Sequence, residues 1–366
     1  MKILQLGKFY PIKGGVEKVM WDLTEGLCGR GVDCDMLCAE AGRGIRESVF
    51  NGHGRCIRVP SSEKVASTMI SPAMVRWMKS HCREYDIVHI HHPDPMACLA
   101  LFLSGYKGKV VLHWHSDIVS QKLLLRFYVP LQKWLIRRAD AVICTSPVYV
   151  GSSPWLKDVQ DKVVCVPIGI RDNIRKKPVS REREGKVVLS VGRFVEYKGM
   201  RYVIDAAGYL PDDYEVRIVG DGPLRPELEK RIAGQGLAGK VSLLGELEDG
   251  ALADAYNDCD LFVLGSIMKS EAFGIVQLEA MSCGKPVVAT RIPGSGVSWV
   301  NEDGVSGLDV SPCNPEALAQ AIVSICGDPA DYIRFSAGAR RRFEKFFTLD
   351  AMLDGVLSVY DKLIGR

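Results

Sequence analysis

The sequence predicts an α/β protein built from two doubly wound parallel-sheet domains facing a cleft. Three observations carry this. Short runs rich in Val, Ile and Leu alternate with segments of helical periodicity along almost the whole chain. Those runs are nearly continuous in apolar residues, as strands covered on both faces must be. A charged, apolar-poor stretch at residues 171–185, containing one proline, separates one complete set of alternating elements from another. A length of 366 residues also favours two domains over one.

Strands are expected in the first half at residues 2–6, 33–38, 87–90, 109–113, 141–145 and 162–166. In the second half they are expected at 186–191, 215–219, 240–244, 261–264 and 286–289. Helical stripes intervene, such as Val16, Val19, Met20, Leu23 and Leu27. Strand–helix alternation implies parallel, Rossmann-like sheets with right-handed crossovers. Ligands bind such sheets outside the carboxyl ends of the strands. The plan is an N-terminal domain over 1–170, a linker over 171–185 and a C-terminal domain over 186–348. A last amphipathic helix within 349–366 has no strand after it and is expected to pack back on the first domain.

Composition narrows the function classes. An apolar fraction of 47% with 25% charged residues is that of a soluble globular protein. The N-terminal apolar run is broken at Gln5 and ends at Gly7, too short for a signal peptide. No stretch approaches the roughly 18 apolar residues of a membrane span. A cytoplasmic protein is expected. The twelve cysteines are scattered, several in apolar runs (Cys144, Cys165, Cys259), and none forms a CxxC pair. Buried reduced thiols are expected rather than disulfides or zinc. Residues 1–170 carry 22 Lys+Arg against 15 Asp+Glu, and the remainder 25 against 29. The basic first half suits an anionic partner, although two unequal solvated surfaces would give the same count. No nucleic-acid partner is expected.

Four residues stand out chemically. Arg193 and Lys198 follow the expected strand at 186–191 and precede a helix. Two cations there can converge on one anion, with the helix N-terminus adding backbone donors. The alternative is a solvated basic loop. Glu271 follows the strand at 261–264, and Glu279 is expected about two turns inside a helix beginning near Phe273. That helix is largely apolar, so a carboxylate in it needs a partner, and ligand hydroxyls would serve. The alternatives are a surface salt bridge for Glu279 and a helix-dipole charge for Glu271. A hydrolase acid/base pair is disfavoured, because the two need not face a common bond. Gly14-Gly15 before one helix and Gly220-Asp221-Gly222-Pro223 after another strand allow close backbone approach, or simply make turns.

Five of the seven histidines cluster at the ends of two consecutive strands: His89, His91, His92, His113 and His115. Imidazoles can hold zinc, but no metalloenzyme spacing is present and no metal is expected. A cleft floor, with one or two histidines hydrogen-bonding a sugar, is the preferred reading. Residues 121–138, from Gln121 to Arg138, interleave aromatic, apolar and basic side chains. They read either as a contact with an anionic inner-membrane surface or lipid-linked substrate, or as a core helix with snorkelling bases. Pro130 is expected to split this helix in two.

Taken in order and spacing, these motifs resemble the GT-B fold retaining glycosyltransferases of the family-4 group. The carriers are Gly14-Gly15-Val16-Glu17, His115-Ser116-Asp117, Arg193 to Lys198-Gly199, Gly220 to Pro223, and Glu271-x7-Glu279 enclosing Phe273-Gly274. The resemblance implies roles. Arg193 and Lys198 would bind the donor diphosphate, Glu271 the sugar hydroxyls and Glu279 the ribose. Phe273, Gly274 and Ile275 would contact sugar or phosphate through backbone groups. Gly14, Gly15 and Gly222 would add donor contacts, and His115, with His113 as the competing assignment, would be the cleft histidine. It implies metal-independent chemistry without a cofactor, the leaving phosphate assisting same-face attack.

The segment around His113 to Leu131 resembles bacterial mannosyl- and rhamnosyltransferases of surface-polysaccharide assembly. That makes GDP-mannose the first expected donor and a lipid-linked glycan the expected acceptor. GDP-rhamnose or a UDP-hexose are alternatives. Base contacts are expected through backbone near Leu244-Gly245-Glu246. A sugar-nucleotide epimerase, a phosphorylase and a non-catalytic binding protein remain rival readings. No lysine announces itself as a pyridoxal-phosphate anchor.

Overall fold

A computed structural model describes residues 1–12, 14–62, 64–65, 68–118, 122–174 and 185–365. The chain divides into two compact units. Unit 1 comprises Met1–Gly169 and Leu349–Arg366, and unit 2 comprises Ile170–Thr348. Within the expected linker, residues 175–184 lie outside the described residues, as does Gln121.

Unit 1 begins with β1 (Lys2–Tyr10), α1 (Gly15–Gly29), β2 (Asp33–Ala41), β3 (Arg46–Phe50), β4 (Gly54–Ser61), β5 (Lys64–Val65), β6 (Thr68–Met69) and α2 (Pro72–His81). It continues through β7 (Ile87–His92), α3 (Pro95–Ser104), β8 (Lys109–Trp114), α4 (Lys122–Arg138), β9 (Ala141–Cys144), α5 (Pro147–Ser152) and β10 (Val163–Cys165). Its main sheet has the order β10-β9-β8-β7-β1-β2-β4-β3. All pairings in it are parallel except β3 with β4. The winding direction reverses between β1 and β7, which is where a doubly wound sheet opens a crevice. The antiparallel extension through β3 was not legible in the sequence. Arg46, Glu47 and Ser48 break any apolar run, because β3 is an edge strand exposed along most of its length.

Unit 2 runs β11 (Lys186–Val191), α6 (Met200–Ala207), β12 (Tyr214–Val219), α7 (Arg225–Gly234), β13 (Val241–Gly245), α8 (Asp249–Asp258) and β14 (Leu261–Leu264). It ends with α9 (Ile275–Ser282), β15 (Val287–Thr290), α10 (Val297–Val300), β16 (Gly307–Val310), α11 (Pro315–Gly327) and α12 (Pro329–Phe346). Its six strands are all parallel in the order β13-β12-β11-β14-β15-β16, with the reversal between β11 and β14. Val188, Val216, Ile218, Leu261 and Val263 from the strands pack against Val203, Ile204, Leu318 and Ile322 from the helices.

The last helix, α13 (Leu349–Ile364), belongs to unit 1. Leu353 lies so close to α1 that a Cβ on Gly26 would come within 2.7 Å of it. Arg30, just after α1, forms ion pairs with Asp350 and Asp354. Where the chain enters and leaves unit 2, the Ile170 amide donates to the Phe347 carbonyl at 2.9 Å, and Ile170 bridges Thr348. Asp172 pairs with Arg340. All twelve cysteines are free.

Two local expectations are corrected. α4 runs through Pro130 without a break. The proline lacks a donor for the carbonyl of Arg126, but both residues lie on the exposed stripe of the helix, where solvent can take the place of the missing donor. The helix carrying Glu279 starts at Ile275, not Phe273, because Gly274 is left-handed at φ 76°. Glu279 is therefore just over one turn inside it, not two.

Candidate functional site

The reversal in unit 2 places the loops after β11 and β14 side by side, and these carry Arg193, Lys198 and Glu271. The two loops are tied together by the Ile267 amide, which donates to the Tyr197 carbonyl at 2.8 Å. Gly199 makes their approach possible. Its φ is 63°, and a Cβ there would lie 2.0 Å from the Gly265 oxygen. The loop after β12 braces the first one from its other side. Phe194 N–H donates to Asp221 at 2.8 Å, and Leu224 N–H to Phe194 at 3.1 Å. A Cβ on Gly222 would meet the Phe194 backbone at 2.7–3.0 Å. Gly222 thus acts through this loop packing, which holds the segment presenting Arg193.

Lys198 Nζ lies 2.5 Å from Glu271 Oε2, with only 12% and 10% of the two side chains exposed. The Ser266 hydroxyl donates to the same carboxylate oxygen at 2.9 Å. The Ser295 hydroxyl fixes the Glu271 carbonyl. Burial is the largest single influence and would lower the Lys198 pKa, but the charge and hydrogen bond of Glu271 together with Tyr197 outweigh it, and the amine is held above the ordinary lysine value. Arg193 is exposed, and its guanidinium makes no ion pair with the described residues. Two cations and a carboxylate therefore meet at the switch point, and one cation is free. Glu279 is anchored separately, accepting from the buried Tyr256 hydroxyl at 2.5 Å. Between the two carboxylates α9 begins. Gly274 offers no side-chain cap, and although the Gln277 amide donates to the Gly274 carbonyl, the amides of Ile275 and Val276 are available to an anion. Phe273 is buried, and its carbonyl accepts from Gln277 at 3.1 Å. Leu244 is exposed at the end of β13.

Sequence reasoning missed Tyr256, Ser266 and Ser295. Ser266, two residues past β14, had a positional signal. Tyr256 had none, since an aromatic in an amphipathic helix reads as core.

In unit 1, Gly14 and Gly15 open α1, again without a side-chain cap, and the Glu17 carboxylate fills the space a Gly14 side chain would need. The five histidines are all buried. His91 Nδ1 lies 2.9 Å from His115 Nε2, and His91 Nε2 lies 2.8 Å from Gln5 Oε1. Gln5 Nε2 donates to the Tyr360 hydroxyl at 3.0 Å, which lies 2.5 Å from His89 Nδ1. His92 stacks on Trp114 at 3.8 Å. Burial drives the pKa of every one of these imidazoles down, to about 3 for His92 and His113.

Nitrogens of His89, His91 and His113 lie within 4.8 Å of one another. Their rings, however, stack with interplanar angles of 7–27°. Lone pairs lie in the ring plane, so near-parallel rings cannot aim them at one ion, and both His91 nitrogens are already engaged. This arrangement does not suit a shared metal.

Unit 2 thus gathers a buried cation–carboxylate pair, a free guanidinium, a second anchored carboxylate and an open helix N-terminus at one switch point. Such a set suits a diphosphate flanked by hydroxyl-bearing groups, the chemistry of a nucleotide-sugar enzyme. Residues 170–342 match the family model described as glycosyl transferases group 1, and residues 13–183 that of glycosyltransferase family 4. The chain is 33% identical to the O-antigen chain mannosyltransferase C of Escherichia coli, spanning 100% of this chain and 99% of the relative. It is 32% identical to the D-rhamnosyltransferase WbpZ of Pseudomonas aeruginosa, spanning 95% and 92%. Its fold is that of the sucrose-phosphate synthase of Thermosynechococcus elongatus, with a TM-score of 0.81 at 22% identity and full coverage of both chains. Anabaena HepE, solved with UDP-glucose, superposes with a TM-score of 0.77 at 23% identity, again over all of both chains. The chain belongs to the family-4 glycosyltransferases of GT-B fold and is a hexosyltransferase.

Proposed function

We propose that the protein is a retaining, metal-independent transferase moving α-mannose from GDP-mannose to a lipid-linked oligosaccharide in surface-polysaccharide synthesis. The observation carrying the reaction type is the Lys198–Glu271 pair at the switch point of unit 2, with Arg193 unpaired beside it. Arg193 and Lys198 neutralise the departing diphosphate, aided by the N-terminus of α9, so that no metal or cofactor is required. Glu271 orients sugar hydroxyls, Glu279 holds the ribose, and the leaving phosphate helps deprotonate the acceptor as it attacks the same face. The parts of Gly14, Gly15 and His115, all in unit 1, rest on the family resemblance. The sugar is assigned from the names of the two relatives.

A panel of GDP-mannose, GDP-rhamnose and UDP-hexoses, each with and without a lipid-linked acceptor extract, tests this. Acceptor-dependent GDP release from GDP-mannose is expected, and turnover with GDP-rhamnose or a UDP-hexose instead would replace the donor. Release without acceptor would favour an epimerase. Tyr256→Phe is expected to raise the donor KM about tenfold with little change in kcat, because Glu279 loses one buried hydrogen bond.

Among the described residues no helix is long and apolar enough to cross a membrane. Leu99, Phe102 and Leu103 of α3 and Phe127 of α4 are nonetheless exposed. Phe102 meets Trp134 edge-on at 4.9 Å, joining the two stripes, and Arg126, Lys133 and Arg137 line the outer face of α4. We assign this face to the anionic inner-membrane surface that holds the acceptor. Phe102→Asp with Phe127→Asp is expected to abolish co-sedimentation with phosphatidylglycerol vesicles and to leave folding intact. Equal binding to purely zwitterionic vesicles would contradict the assignment.

A further inference from the structure

We propose that Gln5, His91 and Tyr360 are positioning residues that decide which nitrogen of His115 carries its proton. Nδ1 of His115 is thereby left as an acceptor for a substrate hydroxyl. The second half rests on the glycosyltransferase reading above.

Four buried side chains form one continuous hydrogen-bonded line from α13 to the end of β8, Tyr360, Gln5, His91 and His115, with a side contact from Gln5 Nε2 to the Cys34 sulfur at 3.8 Å. A neutral imidazole has one N–H and one lone pair, and a primary amide has an acceptor at one end and donors at the other. The direction of any one bond therefore dictates the rest. Gln5 turns its oxygen to His91 and its nitrogen to Tyr360. His91 must then carry its proton on Nε2, which leaves Nδ1 to accept. His115 must donate to it from Nε2, and Nδ1 of His115 keeps a lone pair. At the other end the Tyr360 hydroxyl, having accepted from Gln5, donates to His89 Nδ1.

Two further observations bear on this line. Burial disfavours the imidazolium in every ring of it, so the polarity is not scrambled by protonation near neutral pH. His115 Nδ1 is buried and has no protein partner among the described residues. A buried lone pair without a donor is costly. The missing partner is a donor of hydrogen bonds, and sugar hydroxyls are the donors that a nucleotide-sugar enzyme brings. Because the line ends on α13, the last helix of the chain takes part in setting the chemical state of a residue far from it in sequence.

Nitrogen-15 spectra of histidine-labelled protein test the inference directly. His115, assigned through a His115→Ala variant, is expected to show the Nε2–H tautomer in the unliganded wild type. Its Nδ1 signal is expected to move to lower frequency on addition of GDP-mannose or acceptor. Gln5→Leu should mix the tautomers, lower kcat about tenfold and leave the donor KM nearly unchanged. The same substitution should add nothing in a His115→Ala background. An Nδ1–H tautomer in the wild type, or an undiminished effect of Gln5→Leu without His115, would overturn the proposal. The tautomer is read without substrate, so failure of all transfer would count against the glycosyltransferase reading alone. An Nδ1 signal unmoved by either substrate in an active enzyme would remove the hydroxyl contact.

Discussion

Lys198→Ala is expected to lower kcat by about 10²–10³-fold, the usual worth of one preorganised charge on a developing anion. Lys198 is nearly buried and held against Glu271, so in the proposed reaction it would meet the leaving group without reorganising. Its substitution also leaves the Glu271 carboxylate with the Ser266 hydroxyl as its one remaining partner among the described residues. Some stability is therefore lost as well, but the loss in turnover should dominate. Steady-state kinetics beside a thermal melt separate the two. Unchanged kcat would remove Lys198 from the reaction. The sign of its pKa shift adds a second readout. Because Glu271 raises the folded pKa above 10.5, the pair stabilises the protein fully below that pH. That stabilisation is lost only as the pH rises through the folded value. No alkaline limb in the rate below about pH 10 should come from this amine.

Acid is expected to be far more damaging. Five histidines of unit 1 are buried, with pKa values depressed by burial. In the unfolded chain each titrates near 6.5, so the unfolded state binds more protons as the pH falls below that value. Each ring that stays neutral in the folded protein costs on the order of 1 kcal/mol between pH 7.5 and 5.5. Five together take a large share of the stability of an ordinary domain. Urea unfolding at the two pH values, followed by tryptophan fluorescence, measures this. A midpoint that does not move would mean that these rings are protonated in the folded state.

The parts of the structure that were legible in the sequence share a cause. A strand buried on both faces must be apolar throughout, so most inner strands announced themselves, as did the edge strands β10 and β13, and alternation with helices gave their direction. The inner strand β4, interrupted by Arg55 and Arg58, and the edge strands β3 and β16 were missed. Of the four residues of the candidate site, Arg193, Lys198 and Glu271 were legible as charges after strand ends, and Glu279 as a carboxylate in a largely apolar helix. Their partners were not. That Lys198 is held by Glu271, and Glu279 by Tyr256, depends on which loops a sheet reversal brings together, and spacing within one segment cannot report it. Pro130 misled because a propensity was applied without knowing which side of the helix faces water. The resemblance to a family supplied roles for Gly15 and His115 that their residue types could not.

Unit 1 is discontinuous. Its first 169 residues are made before unit 2, and its last helix only after unit 2 is complete. During synthesis on the ribosome, unit 2 is an uninterrupted stretch that can close on its own. The earlier-made part of unit 1 must wait, with Gly26 uncovered and Gln5 lacking Tyr360. The emergence of α13 thus becomes the moment at which the histidine core is sealed, and a chain cut before Leu349 would carry a finished unit 2 and an unfinished unit 1.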